Sequence, residues 1–169
     1  QGTRVLGEVV VFRNDVRARR ARLKRAKVRA AELVAERSRQ KASIESQLAT
    51  FKALGAPVLV YAETTGSVQS KIDVPVSRRP RIPDEQFRSY GRKLTALAEH
   101  LAERGVALTY HHHMGTIIET QREIDLLMSN SGPAVGLLVD TGHLTYAGAD
   151  VLEVARRHAK RINHVHCKD

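Results

Sequence analysis

Val135-Gly136-Leu137-Leu138-Val139-Asp140-Thr141-Gly142-His143 is the stretch that decides how this chain folds. Five apolar residues in a row, with no polar alternation, suit a strand buried on both faces, as in a parallel sheet. A carboxylate follows them directly. Asp140 is therefore placed by a buried strand rather than scattered on a surface. It reads either as a functional group at a strand's C-terminal end or as an N-cap for the next segment, a position that Asp favours. His143 follows three residues later, where it could ligate a metal, orient a ligand, move a proton or face solvent.

The same form recurs on both sides. Val106-Ala107-Leu108-Thr109-Tyr110 runs into His111-His112-His113, Val58-Leu59-Val60-Tyr61-Ala62 runs into Glu63, and Ile162-Asn163-His164-Val165-His166 forms the last apolar-rich run. Helical spacing lies between them. Residues 43–54 put Ile44, Leu48, Phe51 and Leu54 on one face before Gly55. Residues 83–104 open on Pro83-Asp84-Glu85-Gln86, turn Leu94, Leu97, Ala98 and Leu101 inward and stop at Gly105. Residues 120–128 and 150–159 complete the set. Residues 64–83 form a loop long enough to suggest a functional or mobile segment. Four βα units recurring every ~30–45 residues predict a parallel sheet with helices outside it. An open doubly wound sheet shares that rhythm. The ionisable residue at every strand end favours a barrel, whose enzymes gather such groups at one mouth. The chain's 169 residues are short for a complete (β/α)₈ barrel of roughly 200–250, so the expectation is a partial TIM barrel of about four units.

No CxxC, HExxH, GxGxxG or GKS/T pattern occurs, which removes support for zinc-ribbon, zincin, dinucleotide and P-loop chemistry. What remains is a set of His and carboxylate groups at neighbouring strand tips, the arrangement that lets a divalent cation be held without sequence proximity. Alternation lets at most two of the three central histidines line the mouth, and His111 and His113 share a side. His164 and His166 also point one way, with His166 nearer the mouth. Each has a plainer reading: a packing or ligand-orienting role for the triplet, a hydrogen-bonded barrel-interior histidine for His166. Glu63 suits a ligand, a hydroxyl acceptor or a general base, or else an ion pair with a basic residue of the 71–81 loop. Asp169 or Lys168 could serve the same site or form a surface pair. Cys167 alternates away from His166 and reads as a small buried hydrophobe rather than a nucleophile.

Charge divides the chain. Residues 1–45 hold 13 Lys/Arg against 5 Asp/Glu, and the rest holds 15 against 13. The basicity belongs to residues 1–40, which read as a segment of their own beside a barrel domain at 41–169. Arg, Ala, Lys and Leu favour a helix there, although like charges repel and the apolar stripe is poor. A solvated helix or extension is favoured over a nucleic-acid arm, and a shifted reading frame would give the same composition. With one cysteine no intrachain disulfide can form, and no apolar run approaches the ~20 residues of a membrane span. A soluble cytoplasmic protein is the expectation.

The segments LGAPVLVYAE (54–63), YHHHMGT (110–116), DTGHLT (140–145) and HVHCKD (164–169) together resemble inosose dehydratase, within the xylose-isomerase-like sugar isomerase/epimerase barrels. The resemblance covers about residues 45–169. It implies a lyase of inositol catabolism that removes water from 2-keto-myo-inositol (scyllo-inosose) through an enediolate. It also implies Mn²⁺ or Co²⁺ as cofactor, with glutathione as a further candidate. Matching by motif places Asp140 and His166 on metal-ligand positions. His111 falls where relatives carry a glutamate ligand. Glu63, His113 and His143 become the candidates for base and acid. The implied partner is the small-molecule substrate, with no membrane, nucleic acid disfavoured and a homo-oligomer left open. The alternatives are a sugar isomerase or epimerase of the same superfamily, or an inactive fragment.

Overall fold

The computed structural model describes residues 2–168, and for residues 2–16, 37, 40 and 41 it describes the backbone alone. Asp169, read above as a possible site residue, lies outside the described residues. The chain divides into two compact units, Gln1–Thr50 and Phe51–Asp169.

Helix α1 (Gly2–Ala53) carries nearly the whole first unit. No Gly or Pro interrupts residues 8–54, so strong helix formers prevail over the repulsion of like charges on successive turns. Its described side chains from Arg17 to Glu36 are exposed. The solvated helix expected from composition is therefore present, and it continues through residue 40, where the composition changes. Near its end Leu48 is buried, whereas Leu54, predicted on the same face, is 77% exposed. The helix stops at Ala53, so Leu54 leaves the helical stripe before Gly55 turns the chain at φ 65°.

In the second unit, β1 (Val58–Tyr61), β2 (Ala107–His111), β3 (Val135–Asp140) and β4 (Ile162–His166) form one sheet in the order β1-β2-β3-β4. Every pairing is parallel. A doubly wound sheet reverses its strand order at a switch point. This sheet has none, and consecutive neighbours throughout are the winding of a barrel arc. All six residues of β3 are buried, as its unbroken apolar run requires, while β4 lies at an edge and is largely exposed. The register pairs His111 with Leu138 and Asp140 with His166, which sets the polar strand ends side by side.

Helix α2 (Asp84–Ala102) packs on β2, β3 and α3 (Gln121–Ser129). Leu94, Ala98 and Leu101 are buried as their spacing predicts, joined by Phe87 and Gly91. Tyr90 of α2 meets Tyr110 of β2 hydroxyl to hydroxyl at 3.3 Å. Tyr61 and Tyr110 thus mark the helix-covered face, and alternation turns Thr109 and His111 to the other. Gly91 is a point of close approach: a Cβ there would stand 2.1 Å from the main-chain oxygen of Asn130, at the end of α3. Helix α3 begins with a full capping box, in which Thr120 and Glu123 each satisfy the other's backbone N–H.

The long 64–83 loop is tied down. It contains one 3₁₀ turn, Val76–Arg78, and then buries Arg79. The guanidinium reaches Glu123 Oε1 at 2.7 Å and the Thr116 carbonyl at 2.9 Å. Its Nε lies 3.0 Å from Glu119 Oε1, a charge contact off the N–H axis. The basic loop residue therefore pairs with the segment after the histidine triplet rather than with Glu63. Burial would raise the Glu123 carboxyl, but hydrogen bonds from Thr120, Arg79 and Glu119 hold it below the ordinary 4.5.

Two outcomes follow. Gly91→Ala forces backbone against backbone and should lower stability by about 1–3 kcal/mol or more, read as a shifted urea midpoint at unchanged slope. Glu123 has a depressed folded pKa, so its contribution is present above 4.5 and fades as pH falls through the folded value. Glu123→Gln should cost about 1–3 kcal/mol at pH 7, and the gap to the parent should shrink below pH 4.5 in urea titrations. A gap independent of pH contradicts the account.

Candidate metal centre

Asp140, the last residue of β3, is fully buried, and its two oxygens do different work. Oδ1 accepts the backbone N–H of His143 at 2.9 Å and so caps α4 (Thr141–Tyr146). Oδ2 is met by Lys168 Nζ at 2.7 Å, His111 Nε2 at 3.2 Å, His166 Nδ1 at 3.3 Å and His143 Nε2 at 3.8 Å. The cap and the functional reading of this residue hold together, one on each oxygen. Burial opposes ionisation here, but hydrogen bonds from Lys168, the His143 N–H and His111 outweigh it and hold the carboxyl well below the usual carboxylate range.

Each imidazole has a distinct setting. Burial lowers the pKa of His111. It also pushes His143 down to about 4, helped by the neighbouring His113 and Lys168. His113 lies against His143, with ring centroids 3.7 Å apart. Its Nδ1 is 2.9 Å from the Met114 carbonyl, an acceptor, so Nδ1 donates there. His112 turns the other way and is fully buried. Its Nε2 accepts the Asp140 N–H at 3.3 Å, which leaves a proton on Nδ1 with no described partner. Burial, and then the neighbouring His111, push His112 down to about 3. A neutral imidazole thus fixes the backbone of the residue on which the site turns.

One ligand atom each from His111, Asp140 and His143 lies within 4.8 Å of the others. Two imidazole nitrogens and a carboxylate oxygen suit a borderline divalent cation such as zinc, manganese or cobalt. The buried acceptor and the backbone held by His112 supply the outer support that such ligands need. The donor set therefore fits a metal. His166 touches Asp140 from the edge strand but stands outside that tightest trio.

Glu63 is placed elsewhere among the described contacts. Its Oε2 accepts from the Tyr61 hydroxyl at 3.2 Å and its Oε1 from the Thr65 N–H at 2.9 Å. Burial acts to raise its pKa, yet the bonds from Thr65 and Tyr61 leave it lowered. Tyr61 rises to about 12, through burial and then the Glu63 carboxylate. Glu63 is thus a fixed carboxylate at the β1 end, and none of its described contacts reaches the histidines. Cys167 is exposed, not the small buried hydrophobe expected, because it lies past the end of β4, itself an edge strand. Lys168, which reads from sequence as either a member of the site or half of a surface pair, reaches Asp140. The signal for it is alternation, which sets Lys168 on the side of His166.

Residues 15–169 match the family model described as a xylose isomerase-like TIM barrel. The chain belongs to that family. Among curated members it is 52% identical over 127 residues to the rhizopine catabolism protein MocC of Rhizobium meliloti, covering 75% of this chain and 39% of that protein. It is 42% identical over 118 residues to the inosose dehydratase of Geobacillus thermodenitrificans, covering 69% of this chain and 40% of that enzyme. The chain therefore spans about 40% of the length of these relatives. A crystal structure of the IolI protein with a bound zinc atom superposes with a TM-score of 0.51 at 21% identity, over 72% of this chain and 41% of that one. That likeness concerns the barrel fold. Among the described residues no helix is long and apolar enough to cross a membrane.

His112 gives a direct check on this geometry. Its folded pKa is about 3 against an ordinary 6.5, so its stabilising share is whole above 6.5 and is lost as pH falls toward 3. Ring NMR should show His112 neutral down to about pH 4, with its proton on Nδ1. A midpoint near 6.5 would contradict the assignment.

Proposed function

We propose that these residues form the Asp140 part of the active site of a metal-dependent hydro-lyase that removes water from 2-keto-myo-inositol. One observation carries the reading: the donor atoms of His111, Asp140 and His143 converge within 4.8 Å in a chain 42% identical to a protein named inosose dehydratase. Two donor sets share His111 and Asp140, one completed by His166 and the other by His143. A barrel of the same fold, the IolI protein, carries a zinc atom, which supports a divalent ion here, and we assign Mn²⁺ or Co²⁺. Such an ion, when bound, polarises a ketone and its neighbouring hydroxyl.

The rest of the chemistry falls to the chain's own groups. The Nδ1 of His113 bonds the Met114 carbonyl, so Nε2 is the nitrogen left to take up a proton. That makes it the base placed to take the proton α to the ketone, giving an enediolate. His143, beside His113, is placed to pass the proton that His113 has taken on to the departing β-hydroxyl, which leaves as water, when His143 stays off the cation. A pKa near 4 keeps it neutral at rest at pH 7, able to accept that proton and quick to give it up. Glu63, held by Tyr61 and Thr65, is the more remote candidate, suited to accept a substrate hydroxyl at the rim. We assign the protein to the cytoplasm. A second reading rests on the 52% identity to MocC: the same site would then serve rhizopine catabolism.

The test uses the full-length protein that carries these residues, loaded with Mn²⁺ or Co²⁺, with and without glutathione. With scyllo-inosose it should produce the absorbance of the trihydroxycyclohexane-dione. Asp140→Asn should weaken cation binding about 100-fold or more and abolish the signal. A folded, loaded protein that yields an epimer and no dione moves the assignment to an isomerase or epimerase.

A further inference from the structure

Lys168 is built into the site in a way that neither its sequence position nor the proposed chemistry requires. Its ammonium lies 2.7 Å from Asp140 Oδ2 and 3.4 Å from His143 Nε2. Two of the three residues in the convergent donor set are therefore contacted by one cationic side chain. The delivery is specific. The Lys168 backbone N–H donates to Thr141 Oγ1 at 2.8 Å, and that hydroxyl is 3.0 Å from the Lys168 carbonyl. Gly142 supplies the path: a Cβ there would stand 2.9 Å from Lys168 Cδ and 3.2 Å from its Cβ. The stem crosses the first turn of α4 against residue 142, where any side chain would crowd it.

We propose that Lys168 is a built-in competitor for the cation, holding the Asp140 carboxylate until a divalent ion displaces its ammonium. The argument rests on the metal reading above. A carboxylate oxygen can serve an ammonium and a divalent ion together only against the repulsion of two like charges at close range, in a site where Asp140 is shut from solvent. The ammonium is the partner able to leave. Its side chain is 47% exposed, on a stem with four rotatable carbons, while Asp140 and His143 are fixed by β3 and by the α4 cap. Displacement swings the cation of Lys168 toward the open face, where a substrate oxygen is the natural new partner. The device keeps a buried carboxylate paired at every stage, since an uncompensated buried charge is strongly destabilising.

The experiment titrates the full-length protein that carries these residues with Mn²⁺ alone, by calorimetry and by electron paramagnetic resonance of free ion, and records thermal midpoints without metal. Lys168→Met should tighten Mn²⁺ binding about tenfold or more and lower the metal-free midpoint. Gly142→Ala keeps the charge but blocks the stem, and should shift affinity the same way. Asp140→Asn should abolish binding in every background. Parent and Lys168→Met binding Mn²⁺ equally, or the variant binding more weakly, overturns the competition while leaving the metal reading intact. Failure of the folded parent to bind Mn²⁺ at all overturns both.

Discussion

One buried carboxylate governs this structure. Asp140 ends the central strand with no access to water, so its charge must be met in full by protein groups. The helix start takes one oxygen, and Lys168 with three histidines surrounds the other. Those groups come from β2, from α4 and from the end of β4, elements brought to one point by a parallel register in which Asp140 lies opposite His166. Remove the carboxylate and four basic groups face one another with nothing between them. The need to compensate one charge thus sets the course of the chain over residues 108–168.

The apolar scaffold exists to hold that point still. A strand buried along its length cannot shift by one residue without driving Asp140 into the helix layer and Val139 into the mouth. Close packing behind the sheet adds to this, with Gly91 admitting the backbone of Asn130. The buried Arg79 then ties the long loop to the segment that follows the histidines. His112 links scaffold and site most directly, since its ring lies with the core while its Nε2 holds the Asp140 N–H.

Much of this was legible in the sequence, for reasons that can be named. Strands β1 to β4 announced themselves as short apolar runs, and their order followed once polar residues were seen at each end. Helix α3 and its cap were readable because Thr120 and Glu123 stand at capping-box spacing. Helix α4 escaped notice: six residues containing two threonines and a glycine carry little helix propensity, and its stability comes from the Asp140 cap and buried Leu144. The partners of Arg79 lie 37 and 44 residues away, a separation no local pattern reveals. Leu54 and Cys167 were misplaced where periodicity was carried past the end of an element or onto an edge strand.

The ammonium of Lys168 bears on how such a site stays folded while it holds no ion. A cation site needs donors that are close, rigid and poorly hydrated, which is the arrangement most costly to leave unpaired. Histidines pushed below their ordinary pKa cannot serve as the counter-charge at neutral pH, because they are neutral there. A permanently charged group is required. It must also withdraw without disturbing the ligands, which excludes a residue packed into the sheet. A lysine on an exposed stem, laid across a glycine, meets both conditions. The same demand that buried Asp140 therefore accounts for the exposed, permanently charged group beside it.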